Sequence, residues 1–182
     1  MLQIILIGSP FPDPWVISYI NVHLSYMWFS LRKDIISYKD ICYFYFFNNG
    51  DIFFMISIYS NDHQSALKYL KDTEVNLYNV LIMAGDFNIR NSNWDLSYPF
   101  YSIHSDSLLK VANSLNLKLS SLIQQVPTYY SNNRNNVNLV INLFFLQLNF
   151  IEIDNHIIFP KLWYSSSYTL LTVDIFISKE FI

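Results

Sequence analysis

Length, composition and charge place this chain among single-domain proteins and exclude some functional classes. It has 182 residues, enough for one domain with a sizeable core, and a formal net charge of -3. At this charge we do not expect a broad basic face that binds nucleic acid through its phosphates. Only 14% of the residues are charged while 18% are aromatic, so we expect a sparingly charged surface that is prone to self-association.

Segments that could direct the chain to a membrane or an oxidising compartment do not meet the physical requirements. The longest apolar stretch, Leu139 to Ile153, is interrupted by polar residues and is shorter than the ~20 residues that span a bilayer. The stretch Met1 to Ile7 is too short for a signal peptide and lacks a basic flank. Cys42 is the single cysteine and cannot form an internal disulfide. We therefore expect a cytoplasmic or nuclear protein.

Strand patterns come first along the chain, and two of them are joined by a hairpin signal. The apolar run from Trp15 to Leu24 predicts a strand, and the aromatic-rich runs Ile41 to Phe47 and Ile52 to Tyr59 predict two more. Between the latter two lies Asn48-Asn49-Gly50-Asp51. Because Asn-Gly tolerates positive φ, this segment predicts a tight antiparallel hairpin.

A helix and a buried strand form the middle of the chain. Asn61 or Asp62 is predicted to cap a helix that ends near Thr73. Three apolar residues share the inward face of this helix: Ala66, Leu67 and Leu70. The apolar run from Leu77 to Ala84 then predicts a buried strand.

A second helix precedes the last predicted strands. Ser105 or Asp106 is predicted to cap it. Four of its residues fall on one face: Leu108, Val111, Ala112 and Leu115. Three later runs are predicted to be strands, with the polar loop 131–136 between the first two: Val126 to Tyr130, Leu139 to Leu146 and Thr169 to Ile177. No repeat or linker divides the chain, so we predict one mixed α/β domain.

The most informative segment is Gly85-Asp86-Phe87-Asn88, at the end of the predicted buried strand. If extended backbone continues, Asp86 and Asn88 lie on one side and Phe87 faces the core. A carboxylate and a carboxamide in this position can hold a hard cation or orient a phosphate. The alternative is a strand that ends in an Asx turn, because Asp and Asn are common at the starts of loops.

This segment resembles the signature of the endonuclease/exonuclease/phosphatase superfamily, in particular the apurinic-endonuclease-like domain of fungal non-LTR retrotransposons. Further segments that are similar to the family occur in the same order along nearly the whole chain. They are Ile58-Tyr59-Ser60-Asn61-Asp62, Ile89-Arg90 with Trp94-Asp95, Gln125-Val126-Pro127-Thr128 and Val140 to Leu146. The ordered set is more specific than the first motif alone.

The resemblance implies a two-sheet β-sandwich flanked by helices, and phosphodiester hydrolysis of DNA with magnesium or manganese. It implies that Asp86 and Asn88 orient water and phosphate, that Asp86 is a candidate metal ligand, and that Tyr59 contacts the phosphate. We expect these side chains to share one cleft with Asn142 and Tyr168.

The sequence departs from the family at positions that matter for catalysis. The closing Ser-Asp-His motif is matched by Ser166-Ser167-Tyr168, so serine replaces the orienting aspartate and tyrosine the general base. A phenol with a reference pKa of about 10 is a poor base at neutral pH. Asn142 stands where the family has an aspartate. The first glutamate is Glu74, so the resemblance implies that the amino-terminal strands and their metal ligand are missing.

The departures favour one hypothesis over two alternatives. The favoured one is a truncated, retroelement-derived endonuclease-like domain over residues 1–182 that is catalytically impaired or inactive. The first alternative is an active metal-dependent DNA endonuclease, and the weaker one is an unrelated soluble α/β binding domain. For each of the four histidines a structural role is favoured over a relocated general base: His23, His63, His104 and His156.

Overall fold

A computed structural model of the protein describes the central part of the chain and several strands on either side of it. The described residues are 4–8, 17–21, 28–48, 51–61, 63–73, 77, 79–95, 97–120, 140, 142–147, 151–159 and 170–177. Among them, no helix is long and apolar enough to cross a membrane.

Helices and strands of this part of the chain confirm the α/β class. The strands are β1 (Ile4–Gly8), β2 (Ile17–Asn21), β3 (Trp28–Leu31), β4 (Ile41–Asn48), β5 (Asp51–Tyr59), β6 (Val80–Asp86), β7 (Lys118–Leu119), β8 (Asn142–Leu146), β9 (Ile151–Phe159) and β10 (Leu170–Ile177). The helices are α1 (Ser65–Asp72) and α2 (Ile103–Ser114).

Six of these strands form one mixed sheet in the order β3-β4-β5-β6-β8-β7. Only β5 and β6 are parallel, and the other neighbours are antiparallel. The carboxyl ends of β5 and β6 therefore lie at the same edge as the amino ends of β4 and β8; we call this the strand-end edge. The other described strands form two antiparallel pairs, β1 with β2 and β9 with β10.

The predicted central hairpin is confirmed by the pairing of β4 with β5, which runs to Asn48 opposite Asp51. Alternation along these strands places apolar side chains on both faces of the sheet. Tyr43 belongs to the main core, which also contains the buried residues of both helices. Cys42 and Phe44 form a separate cluster. Both faces of the sheet are therefore apolar.

The first helix begins later than predicted, although its buried face is confirmed. Its N-cap is Gln64, at φ 55° and without a side-chain capping bond, so the prediction of Asn61 or Asp62 is wrong. Asn61 still serves the helix start, because its Oδ1 accepts the Ser65 N–H at 3.2 Å. The helix ends at Thr73 as expected, and the predicted inward residues are buried: Ala66, Leu67 and Leu70.

The second helix begins earlier than predicted, at the N-cap Ser102, whose side chain accepts the His104 N–H. Ser105 and Asp106 lie inside its first turn, so their prediction as caps is wrong. Ser105 is buried there, and its Oγ accepts a hydrogen bond from Asn91 Nδ2 at 2.7 Å. The inward face is confirmed by burial of Leu108, Val111 and Ala112, with Leu115 packed against the core.

Strand positions are better predicted than strand ends. The strand predicted at Leu77 to Ala84 begins only at Val80, after Asn79 at φ 56°, and continues to Asp86. The last predicted strand agrees within one residue with β10, and those predicted at 15–24 and 139–146 contain β2 and β8. The sequence patterns missed β1, β3, β7 and β9. The strand predicted at 126–130 and the loop 131–136 lie outside the described residues.

Candidate functional site

Residues from three separate sequence motifs form one row at the strand-end edge. Tyr59 pairs with Asp86 in the parallel ladder of β5 and β6. Asp86 pairs in turn with Asn142 in the antiparallel ladder of β6 and β8. Directly paired residues occupy the same face of a sheet. The register therefore brings the backbones of Tyr59, Asp86 and Asn142 into one row, whereas Ser167 and Tyr168 lie outside the described residues.

The chain leaves the sheet after Asp86 through an Asx turn. Asp86 Oδ1 accepts the Asn88 N–H at 3.0 Å, and Asn88 has φ 48°, in the left-handed region that asparagine tolerates. The Asx turn, which the residues alone favoured over continued extended backbone, is therefore confirmed. Phe87 is fully buried in the main core, as expected. A carboxylate offers several lone-pair sites, and the turn uses one of them at Oδ1.

Gly85 is required because the backbones of β5 and β6 approach closely just before this turn. A Cβ atom at Gly85 would lie 1.7 Å from the carbonyl oxygen of Ile58 and 2.8 Å from its carbonyl carbon. Any side chain would therefore push apart the strands that carry Tyr59 and Asp86.

Hydrogen bonds tie the loop after β5 to the Asx turn after β6. The Ser60 N–H donates to Asp86 O at 2.7 Å, and Asn88 Nδ2 donates to Ser60 O at 3.0 Å. The buried Gln64 donates from Nε2 to Phe87 O at 3.2 Å and accepts from Ser60 Oγ at 2.8 Å. We call Ser60 and Gln64 the loop clamp. Sequence reasoning missed it, because a glutamine before a helix carries no signal of such a role.

A second aspartate, Asp40, lies at the strand-end edge and was also missed. The Tyr59 N–H donates to Asp40 O at 2.9 Å, so Asp40 lies opposite Tyr59, one position before β4. Asp40 is only 1% exposed, and its Oδ1 has no hydrogen-bond partner among the residues that the structure describes. Burial raises the pKa of its carboxyl group, and Lys39 opposes this only in part. In the sequence, Asp40 is indistinguishable from an ordinary turn aspartate.

The segment with Arg90, Trp94 and Asp95 fixes the loop that follows the Asx turn. Trp94 is fully buried, and its Nε1 donates to Ile89 O at 2.9 Å. The Arg90 guanidinium lies 4.1 Å from the ring centroid of Tyr98, and Arg90 Nε is 3.5 Å from Asp95 Oδ2. In this structure these residues make contacts typical of a structural role.

Oxygen donors that suit a hard cation are present at the strand-end edge, although they do not form a compact cluster. No group of three or more Asp, Glu, His or Cys residues within the described ranges has the arrangement of a metal site. Asp86 ends β6 opposite Tyr59, whereas Asp40 lies in the turn before β4 and has a buried Oδ1 with no hydrogen-bond partner among the described residues. Carboxylate oxygens are ligands that a hard cation prefers, but the described residues do not bring several of them together.

Comparison with solved structures identifies the architecture. The chain is similar to the endonuclease domain of TRAS1, a telomere-specific non-LTR retrotransposon, with a TM-score of 0.73. The fold is endonuclease-like. Sequence identity is 16%, and the match covers 97% of this chain and 81% of that domain. Neither a protein-family model nor a curated protein matches the sequence. At this identity the similarity establishes the fold, which by itself does not establish an activity.

Proposed function

We propose that this chain is a retroelement-derived endonuclease-like domain whose capacity to hydrolyse phosphodiesters is impaired or lost. The observation that carries the proposal is the row formed by Tyr59, Asp86 and Asn142, within a fold similar to a retrotransposon endonuclease domain. This row joins, through backbone pairing, motifs that are far apart in the sequence. The ligand that it suits is a DNA phosphate, for which the tyrosine hydroxyl is a donor.

Impaired hydrolysis follows from the residues that occupy the positions of the family's acid and base. Tyr168 stands in place of a histidine general base, and a phenol is almost fully protonated at neutral pH. Loss of a general base alone slows such reactions by roughly 10²–10⁴. Asn142 replaces an aspartate, which removes a further negative charge from the row. The remaining groups suit the orientation of a phosphate better than its hydrolysis.

The proposal includes magnesium, because it is the cation used by the enzymes that the chain resembles. When bound, it would neutralise charge on the phosphate. Asp86 is the residue that would hold it, at the end of β6 and beside the paired Tyr59. The loop clamp fixes the backbone of the Asx turn and with it the direction of the Asp86 carboxylate.

A nicking assay tests the proposal. The purified chain is incubated with supercoiled plasmid and with an abasic duplex, in magnesium and in manganese, next to Asp86→Ala and an Asp34→Ala control. Asp34 is an exposed residue that is paired with Arg32 in the loop between β3 and β4, outside the row of Tyr59, Asp86 and Asn142. We expect the wild-type chain to nick no more than Asp86→Ala. Nicking by the wild type and by Asp34→Ala that disappears in Asp86→Ala would establish the alternative, an active metal-dependent endonuclease.

A further inference from the structure

We propose that aromatic residues in the loop before α2 stack against unpaired nucleobases of a DNA strand that passes the strand-end edge. These residues are Tyr98, Phe100 and Tyr101, and we call them the aromatic platform. The inference rests on the proposed function, because it takes DNA to be the ligand of this domain. It concerns binding alone and does not require hydrolysis.

Open ring faces are the first feature of the aromatic platform. Phe100 is 64% exposed and Tyr101 is 58% exposed. The rings of Tyr98 and Phe100 meet edge to face, with centroids 5.6 Å apart and planes at 74°. An edge-to-face contact covers at most one face of one of the two rings. The remaining faces are therefore open to a flat ligand, and every nucleobase presents such a face.

The loop that carries the aromatic platform is held in place without a ligand. The Ser92 N–H donates to Phe100 O at 3.3 Å, which closes the loop. Pro99 restricts the backbone inside the platform, because its ring fixes φ. The Tyr101 hydroxyl donates to the carboxylate of Asp106 in the first turn of α2. A base that stacks here therefore orders little of the chain, which favours binding.

Chain connectivity keeps the aromatic platform near the row of Tyr59, Asp86 and Asn142. Ser92, which is bonded to Phe100, follows Asp86 by six residues. Six residues of extended chain reach at most roughly 22 Å, and the Asx turn after Asp86 shortens this distance. A DNA strand with one phosphate at the row can therefore reach the platform within a few nucleotides.

The charges of the chain favour base stacking over phosphate binding as the main contact. The Arg90 guanidinium lies 4.1 Å from the ring centroid of Tyr98, and the Arg90 side chain is 28% exposed. Arg90 thus brings a positive charge to the platform, although the chain as a whole carries -3. Stacking on aromatic rings with a cation–π contribution from arginine is typical of proteins that bind single strands. Bases in a duplex are already stacked and paired, so the expected ligand has unpaired bases.

Fluorescence anisotropy of a labelled thymidine oligonucleotide tests the inference in the full chain, with EDTA present to prevent cleavage. We expect Phe100→Ala to weaken binding by roughly 5–150-fold, the range for removal of one aromatic residue that stacks on a base. Phe100→Trp keeps an aromatic face and should retain the affinity. Phe47→Ala should also bind like the wild type, because Phe47 is an exposed aromatic residue near the carboxyl end of β4, opposite the strand-end edge.

Two further measurements separate stacking from binding through phosphates. The same oligonucleotide annealed to its complement should bind at least tenfold more weakly than the single strand. The logarithm of the affinity should fall with the logarithm of the salt concentration with a slope of about -0.7, as for one neutralised phosphate on a single strand. Phe100→Ala should keep the unfolding temperature of the wild type, because its side chain is exposed.

The inference is overturned by a wild-type chain that does not bind the oligonucleotide, by wild-type affinity in Phe100→Ala, by equal affinity for single strand and duplex, or by a salt slope equivalent to several phosphates. If Phe100→Ala reduces self-association but leaves the oligonucleotide affinity unchanged, the platform contacts a second copy of the chain instead. Each of these failures leaves the proposed function standing. Plasmid nicking would overturn the proposed function without affecting this inference.

Discussion

Replacement of Gly85 by alanine is the sharpest test of the geometry at the strand-end edge. The added Cβ would lie 1.7 Å from Ile58 O, whereas non-bonded heavy atoms prefer about 3.5 Å, so the strands must separate by roughly 2 Å. This movement disrupts the ladder where Ile58 faces Gly85 and Tyr59 faces Asp86. Two lost backbone hydrogen bonds cost about 1 kcal/mol each, and overpacking adds about 1–3 kcal/mol.

The expected destabilisation of Gly85→Ala is therefore about 3–5 kcal/mol, a large part of the ~5–15 kcal/mol that stabilises an ordinary domain. Urea unfolding followed by the fluorescence of the buried Trp94 measures it. Ala84→Ser is the matched control, because it adds one heavy atom at the half-buried preceding residue. A cost below about 1 kcal/mol for Gly85→Ala would refute the close approach of β5 and β6.

Two further predictions concern the loop clamp and the exposed apolar residues at the start of α2, Phe100 and Ile103. Gln64→Leu removes the donor to Phe87 O and the acceptor of Ser60 Oγ, which should cost about 2–4 kcal/mol and speed hydrogen exchange at Asn88. Thr73→Val, which removes a bond at the other end of α1, should leave exchange at Asn88 unchanged, and equal exchange in both variants would contradict the clamp. Phe100 and Ile103 are 64% and 77% exposed, so the double substitution Phe100→Ser and Ile103→Ser should shift the chain towards monomer in size-exclusion chromatography. An unchanged elution profile together with an unchanged unfolding temperature would rule out Phe100 and Ile103 as the surface of association.

Features that depend on local periodicity were predictable from the sequence, and features that depend on pairing between distant segments were not. The hairpin of β4 and β5 follows from two aromatic runs around Asn-Gly, and the buried faces of both helices follow from apolar spacing. Helix starts were wrong by two to four residues, because several polar residues compete at each start and tertiary contacts decide among them. Asn61 and Ser105 illustrate this, since both make hydrogen bonds near a helix start without being the N-cap.

The residues of the candidate site also divide into those that a local sequence pattern predicts and those that depend on pairing between distant segments. Asp86 at the end of a buried strand was predictable, because an apolar run ends there. The Asx turn at Asn88 was one of two alternatives that the sequence offered, and it forms as soon as the ladder ends. Asp40 could not be singled out from the sequence, because two features of the folded chain distinguish it. These are the cross-strand bond from Tyr59 N–H to Asp40 O and the burial of its side chain. Register and burial are properties of the folded sheet, and a single sequence does not encode them in a visible pattern.

The residues that make the chain resemble an endonuclease fall into two groups with different physical roles. Gly85 permits the close approach of two strands, and Asn88 uses its side-chain amide to hold the loop after β5. The indole of Trp94 satisfies the carbonyl oxygen of Ile89 inside the core. Each of these residues stabilises the fold whether or not a phosphate is ever cleaved.

By contrast, the positions at which this chain departs from the family, Asn142 among them, are those to which the resemblance assigns charge and proton transfer. A chain under constraint only to fold would keep the first group of residues and could lose the second without a cost in stability. Similarity in fold at 16% identity therefore establishes the architecture alone. A claim of activity has to rest on groups whose presence the fold does not require, and the Asp86 carboxylate alone is not such a group, because it also holds the Asx turn.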